Sequence, residues 1–307
     1  MKIAITGATG FVGSRLVKKL KNDGHQLLIF TRNANRAKQL YPASQFPNLE
    51  IISYKPIESG DWQETISGCD GVVNLAGESI AKRWTSENKK AILESRQLGT
   101  QKIVEAIAQA ETKSSVLVNA SAVGYYGTSE IGIFDEDSDP GDDFLSQVCQ
   151  VWETEANKVK QAGVRLVILR MGIVLGNGGT LAKMITPFKL FVGGPLGKGH
   201  QWFSWIHLDD LVNLIIESLE RNDVEGVFNA TSPHPVRMSK LCETLGEIMN
   251  RPSWLPVPDF VLEFLLGDAS KVVLEGQQVL SKRIESIGFE YQYPNLKKAL
   301  IDILPRV

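Results

Sequence analysis

Three evenly spaced glycines, Gly7, Gly10 and Gly13, interrupt the chain between the apolar run at residues 3–6 and a segment of mixed apolar and basic residues at 14–20. A strand that turns through glycine into a helix offers free N–H groups and the positive end of the helix dipole to whatever occupies the turn, and this suits a phosphate. In that reading Gly7 supplies a positive φ, Gly10 lets the backbone approach a pyrophosphate, and Gly13 lets the helix pack closely on the strand. Thr9, Phe11 and Val12 complete the candidate dinucleotide loop. Its G-x-x-G-x-x-G spacing departs from the commoner G-x-G-x-x-G. Farther on, Ser121 follows the apolar run 116–120 and precedes Tyr125-Tyr126-Gly127. A serine hydroxyl at a strand end polarises a substrate carbonyl, and a neighbouring tyrosine, Tyr125 or Tyr126, carries the proton that accompanies hydride transfer. The competing reading is a serine turn followed by core aromatics.

Two further places bear on the ligand. Thr31 and Arg32 end the second apolar run. A hydroxyl followed by a guanidinium suits a 2′-phosphate, whereas an acidic residue there would take a ribose 2′-OH, so the cofactor expected is NADP(H) rather than NAD. Leu75-Ala76-Gly77-Glu78 ends the fourth run in small residues that permit close contact, and Arg96 on the helix after it is either a phosphate partner or solvated.

These residues need a frame that brings strand ends together. Apolar runs at 26–30, 51–54, 71–75, 116–120, 165–169 and 227–230 read as strands after the first, with helices at 86–110, at 144–162, and after His207, where Asp209 or Asp210 caps the start. Alternation of this kind predicts an α/β fold, a doubly wound parallel sheet of Rossmann type, with ligands beyond the carboxyl ends of its strands. Residues 1–230 form the expected NADP-binding domain. Within it, glycines and Phe188, Phe191, Trp202, Phe203 and Trp205 make residues 177–205 a cleft-lining insertion. Residues 231–307 form a small α-rich C-terminal substrate lobe.

Composition narrows the class. The 307 residues carry 33 Lys plus Arg against 35 Asp plus Glu, so no basic surplus points to nucleic acid. Cys69, Cys149 and Cys242 are far apart and lack C-x-x-C spacing, which fits a reduced cytoplasmic protein. The acidic run from Asp135 to Asp143 contains no histidine and reads as solvated surface rather than a metal site. Met1 runs directly into a core strand without a leader pattern, and no apolar run reaches the roughly 18 residues of a membrane span.

Taken together, five blocks resemble the extended short-chain dehydrogenase/reductases, and within them the NAD-dependent epimerase subfamily of SDR39U1 type. They are the glycine loop, Asn74 to Glu78, Ser121 to Gly127, Gly172-Ile173-Val174-Leu175-Gly176, and Gly193 to Gly197 continuing through Trp205-Ile206-His207. The resemblance spans the whole chain. It implies NADP(H) held by the glycine loop, Thr31, Arg32, Leu75, Ala76, Gly77, Arg96 and Val174, with Glu78, Trp202, Trp205 and His207 toward a small-molecule substrate, and a homodimer among the assemblies seen in similar proteins.

Two departures qualify the family's chemistry. The signature Tyr-x-x-x-Lys is missing from the helix that reads Phe144-Leu145-Ser146-Gln147-Val148-Cys149, and the literal match from Tyr293 to Lys297 spans Pro294 near the C-terminus and is read as coincidence. Where nucleotide-sugar enzymes resemble one another in an Arg-Asp-aromatic run, this chain has Phe203-Ser204-Trp205. The expected function is therefore oxidation, reduction or epimerisation of a small, rather apolar carbonyl or alcohol. Its rivals are a non-catalytic, cofactor-gated regulator or scaffold, as the resemblance to plant and cyanobacterial division factors implies, and a nucleotide-sugar epimerase.

Overall fold

The computed structural model describes residues 1–304. Seven parallel strands form the central sheet: β1 (Lys2–Thr6), β2 (Gln26–Thr31), β3 (Leu49–Ser53), β4 (Gly71–Asn74), β5 (Val116–Ala122), β6 (Arg165–Met171) and β7 (Gly226–Ala230). Their order is β7-β6-β5-β4-β1-β2-β3, so the winding reverses between β1 and β4 and opens a crevice there. The principal helices are α1 (Phe11–Asn22), α2 (Ala34–Leu40), α3 (Ser86–Gln109), α4 (Phe144–Asn157), α5 (Gly179–Lys189), α6 (Leu208–Glu220), α7 (Met238–Met249) and α8 (Asp259–Leu266). The strands read as nearly unbroken apolar runs because helices cover both faces. Leu16, Val17 and Leu20 of α1, with Leu211 and Ile215 of α6, pack on one face. On the other lie Ile103 and Ile107 of α3 and Ala156 of α4. The expected doubly wound sheet is the one found.

Several expectations need correcting. Residues 177–205 contain α5, whose start at Gly178-Gly179 and internal Pro187 resemble a loop in sequence. Of the five aromatics expected to wall a cleft, Phe188, Phe203 and Trp205 are buried in a third core with α7 and the C-terminal helix Leu296–Ile303. Strand β5 continues past residue 120, so Ser121 lies inside it, paired in register with Arg170. Neither Asp209 nor Asp210 caps α6. His207 does, its Nδ1 accepting the Asp209 N–H at 3.1 Å. Asp209 pairs instead with Arg15 at 2.6 Å, and Asp210 accepts the N–H groups of Gln292 (2.7 Å) and Tyr293 (3.0 Å).

The C-terminal segment returns to the carboxyl edge of the sheet. Gln278–Val279 pairs in parallel with Ile133–Phe134, and Gln277 Nε2 donates to the Val123 carbonyl at 2.7 Å. The acidic run serves this contact: Asp135 takes Lys282, Asp137 takes Arg283, and the buried Glu136 accepts the backbone N–H groups of Asn229 and Arg283. Among the described residues no helix is long and apolar enough to cross a membrane.

Candidate cofactor and active site

The glycine loop is shaped by what a side chain would strike. Gly7 has φ +68°, and a Cβ there would lie 2.7 Å from the Leu75 carbonyl group. A Cβ on Gly13 would lie 2.3 Å from the Gly7 oxygen. The loop is pinned from behind, where the Tyr41 hydroxyl donates to the Ala8 carbonyl at 2.6 Å. Phe11 turns its ring onto Gly176, Gly178 and Gly179, while Thr9, Val12 and Val174 are half-buried nearby. Helix α1 begins with no side-chain cap and no acidic residue in its first turn, which leaves its first N–H groups for an anion. Beside it, Thr6 Oγ1 donates to Asn74 Oδ1 (2.6 Å) and accepts the N–H groups of Leu75 (3.1 Å) and Ala76 (3.2 Å). This holds the turn after β4 against the glycine loop, and the pair of bare backbone turns fits the pyrophosphate of a dinucleotide.

At the outer end of the crevice, Thr31 is buried and its hydroxyl accepts the Asn33 N–H, while Arg32 is 70 % exposed at the edge of β2. Glu78 faces it. One carboxylate oxygen lies 3.5 Å from Arg32 and the other 2.7 Å from Lys82, and the Lys82 bond holds the Glu78 carboxyl below its ordinary range. Arg96 braces this turn from behind: Nη1 donates to the carbonyls of Glu78 (3.0 Å) and Ile92 (3.1 Å), and a Cβ on Gly77 would lie 3.0 Å from its guanidinium. Burial lowers the Arg96 pKa.

At the end of β5 a buried polar network takes up most of the candidate chemistry. Arg170 grips Glu153 with two parallel bonds, Nε to Oε1 and Nη2 to Oε2, both 2.8 Å. Ser121, 3 % exposed, donates to Glu153 Oε1 at 2.6 Å. A carboxylate paired this way accepts only, so the single Ser121 proton is committed to it. The third guanidinium nitrogen donates to the Tyr126 hydroxyl at 2.9 Å, and that hydroxyl donates in turn to Asn229 Oδ1 at 2.7 Å. Burial pushes the Tyr126 pKa up to about 12. Burial also works against the Arg170 charge, but the bonds to Glu153 outweigh it and hold its pKa above the ordinary range. Tyr125 differs. Arg170 Cζ lies over its ring, 3.4 Å from the centroid, and its hydroxyl has no hydrogen-bond partner among the described residues.

On α4 the residues turned toward this strand are Cys149, whose Sγ contacts the Ala122 carbonyl at 3.7 Å and whose pKa burial pushes up to about 12, and Glu153 one turn later. The literal Tyr293 to Lys297 match is spent elsewhere, with Tyr293 donating to Asp302 and Lys297 to Glu247. The residues expected to meet substrate have partners within the protein. Trp205 is wholly buried and donates to the His234 carbonyl. His207 packs against Tyr293 with its ring tilted by 36°, and its pKa is lowered by burial. Trp202 is half-buried beneath the Arg237 guanidinium, and Glu78 stands with Arg32. Sequence reasoning missed Glu153, Asn229 and Lys82. The available signal was Glu153 and Glu155 among the apolar residues of α4 and Arg170 inside β6, since charges so placed are seldom buried unless paired.

Known proteins share this architecture. Residues 3–230 match the NAD dependent epimerase/dehydratase family, and residues 257–303 match a domain of unknown function, DUF1731. The chain is 50 % identical over 307 residues to the chloroplastic epimerase family protein SDR39U1 homolog of Arabidopsis thaliana, covering 99 % of this chain and 87 % of that one. It is 38 % identical over 305 residues to epimerase family protein YfhF of Bacillus subtilis, covering 99 % and 98 %. Among solved structures, human epimerase family protein SDR39U1 with NADPH superposes with a TM-score of 0.86 at 34 % identity, covering 99 % of both chains. With a family match over most of its length, a glycine loop at the switch point and relatives similar from end to end, this chain belongs to the NAD dependent epimerase/dehydratase family.

Proposed function

We propose that the protein binds NADP(H) across the β1/β4 crevice and acts on a small, rather apolar carbonyl or alcohol. The observation that carries this reading is the pairing of a glycine loop that has no room for side chains at Gly7 and Gly13 with Arg32 at the edge of β2, and NADPH in the human relative supports it. When bound, the dinucleotide would supply or take up hydride. The chain's own part is to hold the pyrophosphate on the N–H groups at the start of α1, to meet the 2′-phosphate with Arg32, and to move one proton. Tyr125 is the proton carrier in this reading, because Tyr126 spends its proton on Asn229 and Ser121 spends its own on Glu153. Residues 1–230 hold the cofactor, residues 231–307 cover the substrate end, and the reading places the protein in the cytoplasm.

Thermal unfolding with NADPH, NADP, NADH and NAD tests the cofactor. Selective stabilisation by the phosphorylated pair is expected, and Arg32→Ala should weaken NADPH binding roughly 10- to 100-fold, the worth of a charged hydrogen bond, with NADH little changed. Equal stabilisation by all four would remove Arg32 from the site. For the chemistry, NADPH consumption is followed against apolar aldehydes and ketones. Tyr125→Phe should cost about 10²- to 10⁴-fold in turnover, the usual contribution of a positioned proton donor. Tyr126→Phe should lower stability while keeping turnover.

A second reading, a cofactor-gated regulator or scaffold, draws on the same network: two of the three candidate hydroxyls are saturated by the protein itself. NADPH that binds tightly and is consumed with no carbonyl, together with a silent Tyr125→Phe, would favour it.

A further inference from the structure

Glu78 is a carboxylate held between two cations, and its setting separates a fixed part from a movable one. Its backbone is fixed, the N–H donating to Ser95 Oγ at 2.9 Å and the carbonyl accepting from half-buried Arg96 at 3.0 Å. The carboxylate reaches out to Lys82 at 2.7 Å and to Arg32 at 3.5 Å, and both cations are mostly exposed. Ion pairs in such surroundings are weak and exchange partners readily. Two positive charges and one negative therefore meet at the end of the crevice where the proposed cofactor would carry its 2′ substituent.

We propose that Glu78 and Lys82 set the cofactor preference, acting as an internal counter-ion and a second phosphate ligand. The inference rests on the NADP(H) reading of the crevice. A 2′-phosphate takes over both cations, because its oxygens satisfy Arg32 and Lys82 together and displace the Glu78 carboxylate, which swings away on its fixed backbone. An unphosphorylated ribose leaves the Glu78–Lys82 pair intact and donates its 2′-OH to the carboxylate, so that Glu78, reaching in from the turn after β4, does what an acidic residue at the end of β2 does in NAD-binding crevices. Glu78 thus opposes NADP(H) and favours NAD(H), while Lys82 does the reverse. The pair moderates the selectivity that Arg32 alone would impose.

The test is calorimetric titration of NADPH and of NADH into the full chain and into Glu78→Gln, Lys82→Met and the double variant. The quantity read is the ratio of the two affinities. Glu78→Gln should raise the NADPH preference about tenfold and Lys82→Met should lower it about tenfold, each the worth of a single charge-assisted hydrogen bond, with the double variant between them. The opposite signs matter, because both single variants break the same Glu78–Lys82 bond. If that bond only shapes the turn, the two variants shift both cofactors in one common direction, and the proposal is overturned. A ratio unmoved by either variant overturns it equally. If the unaltered chain binds neither dinucleotide, the cofactor reading falls and this proposal with it. If that chain binds NADPH and only the variants fail to differ, the proposal falls alone.

Discussion

Arg170→Met is expected to destabilise the fold by about 3–5 kcal/mol, the cost of stranding one member of a buried ion pair. For a chain of 307 residues that is a fall in unfolding midpoint of roughly 5–8 °C. The side chains of Arg170 and Glu153 are only 5 % and 8 % exposed, so water cannot replace the lost partner. Three groups suffer at once: Glu153 keeps its charge and loses two donors, Tyr126 loses the donor to its oxygen, and Tyr125 loses the guanidinium that lies over its ring. Glu153→Leu should cost a similar amount for the mirror-image reason. The double variant Arg170→Met with Glu153→Leu should be more stable than either single change, because an apolar replacement of a whole buried pair strands nothing. Chemical denaturation of the four proteins in a mutant cycle measures this. Simple additivity of the two losses would show that the residues act independently, against the bidentate geometry.

Gly13→Ala should remove NADPH binding and cost about 1–3 kcal/mol as an overpacked contact. The added methyl would meet the Gly7 oxygen at 2.3 Å and the Ala8 Cα at 2.8 Å, and both are backbone atoms with no flexible end to yield. Relief requires α1 to shift away from the loop, which carries its N-terminal N–H groups off the phosphate. Gly10→Ala separates binding from folding. Its methyl would find only the Gly7 oxygen, at 3.1 Å, and otherwise points to the open side where a pyrophosphate would lie. Near-normal stability without added NADPH, combined with loss of NADPH-induced stabilisation, is the expected result for Gly10→Ala. Full retention of that stabilisation in Gly13→Ala would mean that the loop does not carry the cofactor.

How far the sequence was legible depends on the range of the interaction that decides each feature. The strands showed because a sheet covered on both faces demands unbroken apolar runs, and the glycine loop showed because steric demand selects glycine at fixed local offsets. Strand ends were less certain. Ser121 looked like a strand terminus, yet pairing with β6 extends β5 through Ala122, and that extension commits the serine to Glu153. The network itself joins residues 17 to 103 positions apart, so charges set among the apolar residues of α4 and β6 announce that partners exist but not which ones. Helix α5 was hidden by Gly178, Gly179 and Pro187, because its packing against α7 and the C-terminal helix outweighs poor intrinsic propensity. The same burial turned Phe188, Phe203 and Trp205 from expected cleft walls into core.

The carboxylate of Asp210, completely buried, finds its donors among the described residues at Gln292 and Tyr293, the first of them 82 residues farther along the chain. During synthesis at about 5–20 residues per second, α6 is therefore made about 4 to 16 s before the backbone that satisfies it. Over that interval the sheet can assemble from strands already made, but Asp210 must stay hydrated and the N-terminal end of α6 cannot close. Asn229, which waits for the Leu280 carbonyl, is left open in the same way. The glycine loop and all seven strands of the sheet are thus made before the backbone that pairs Asp210 and Asn229.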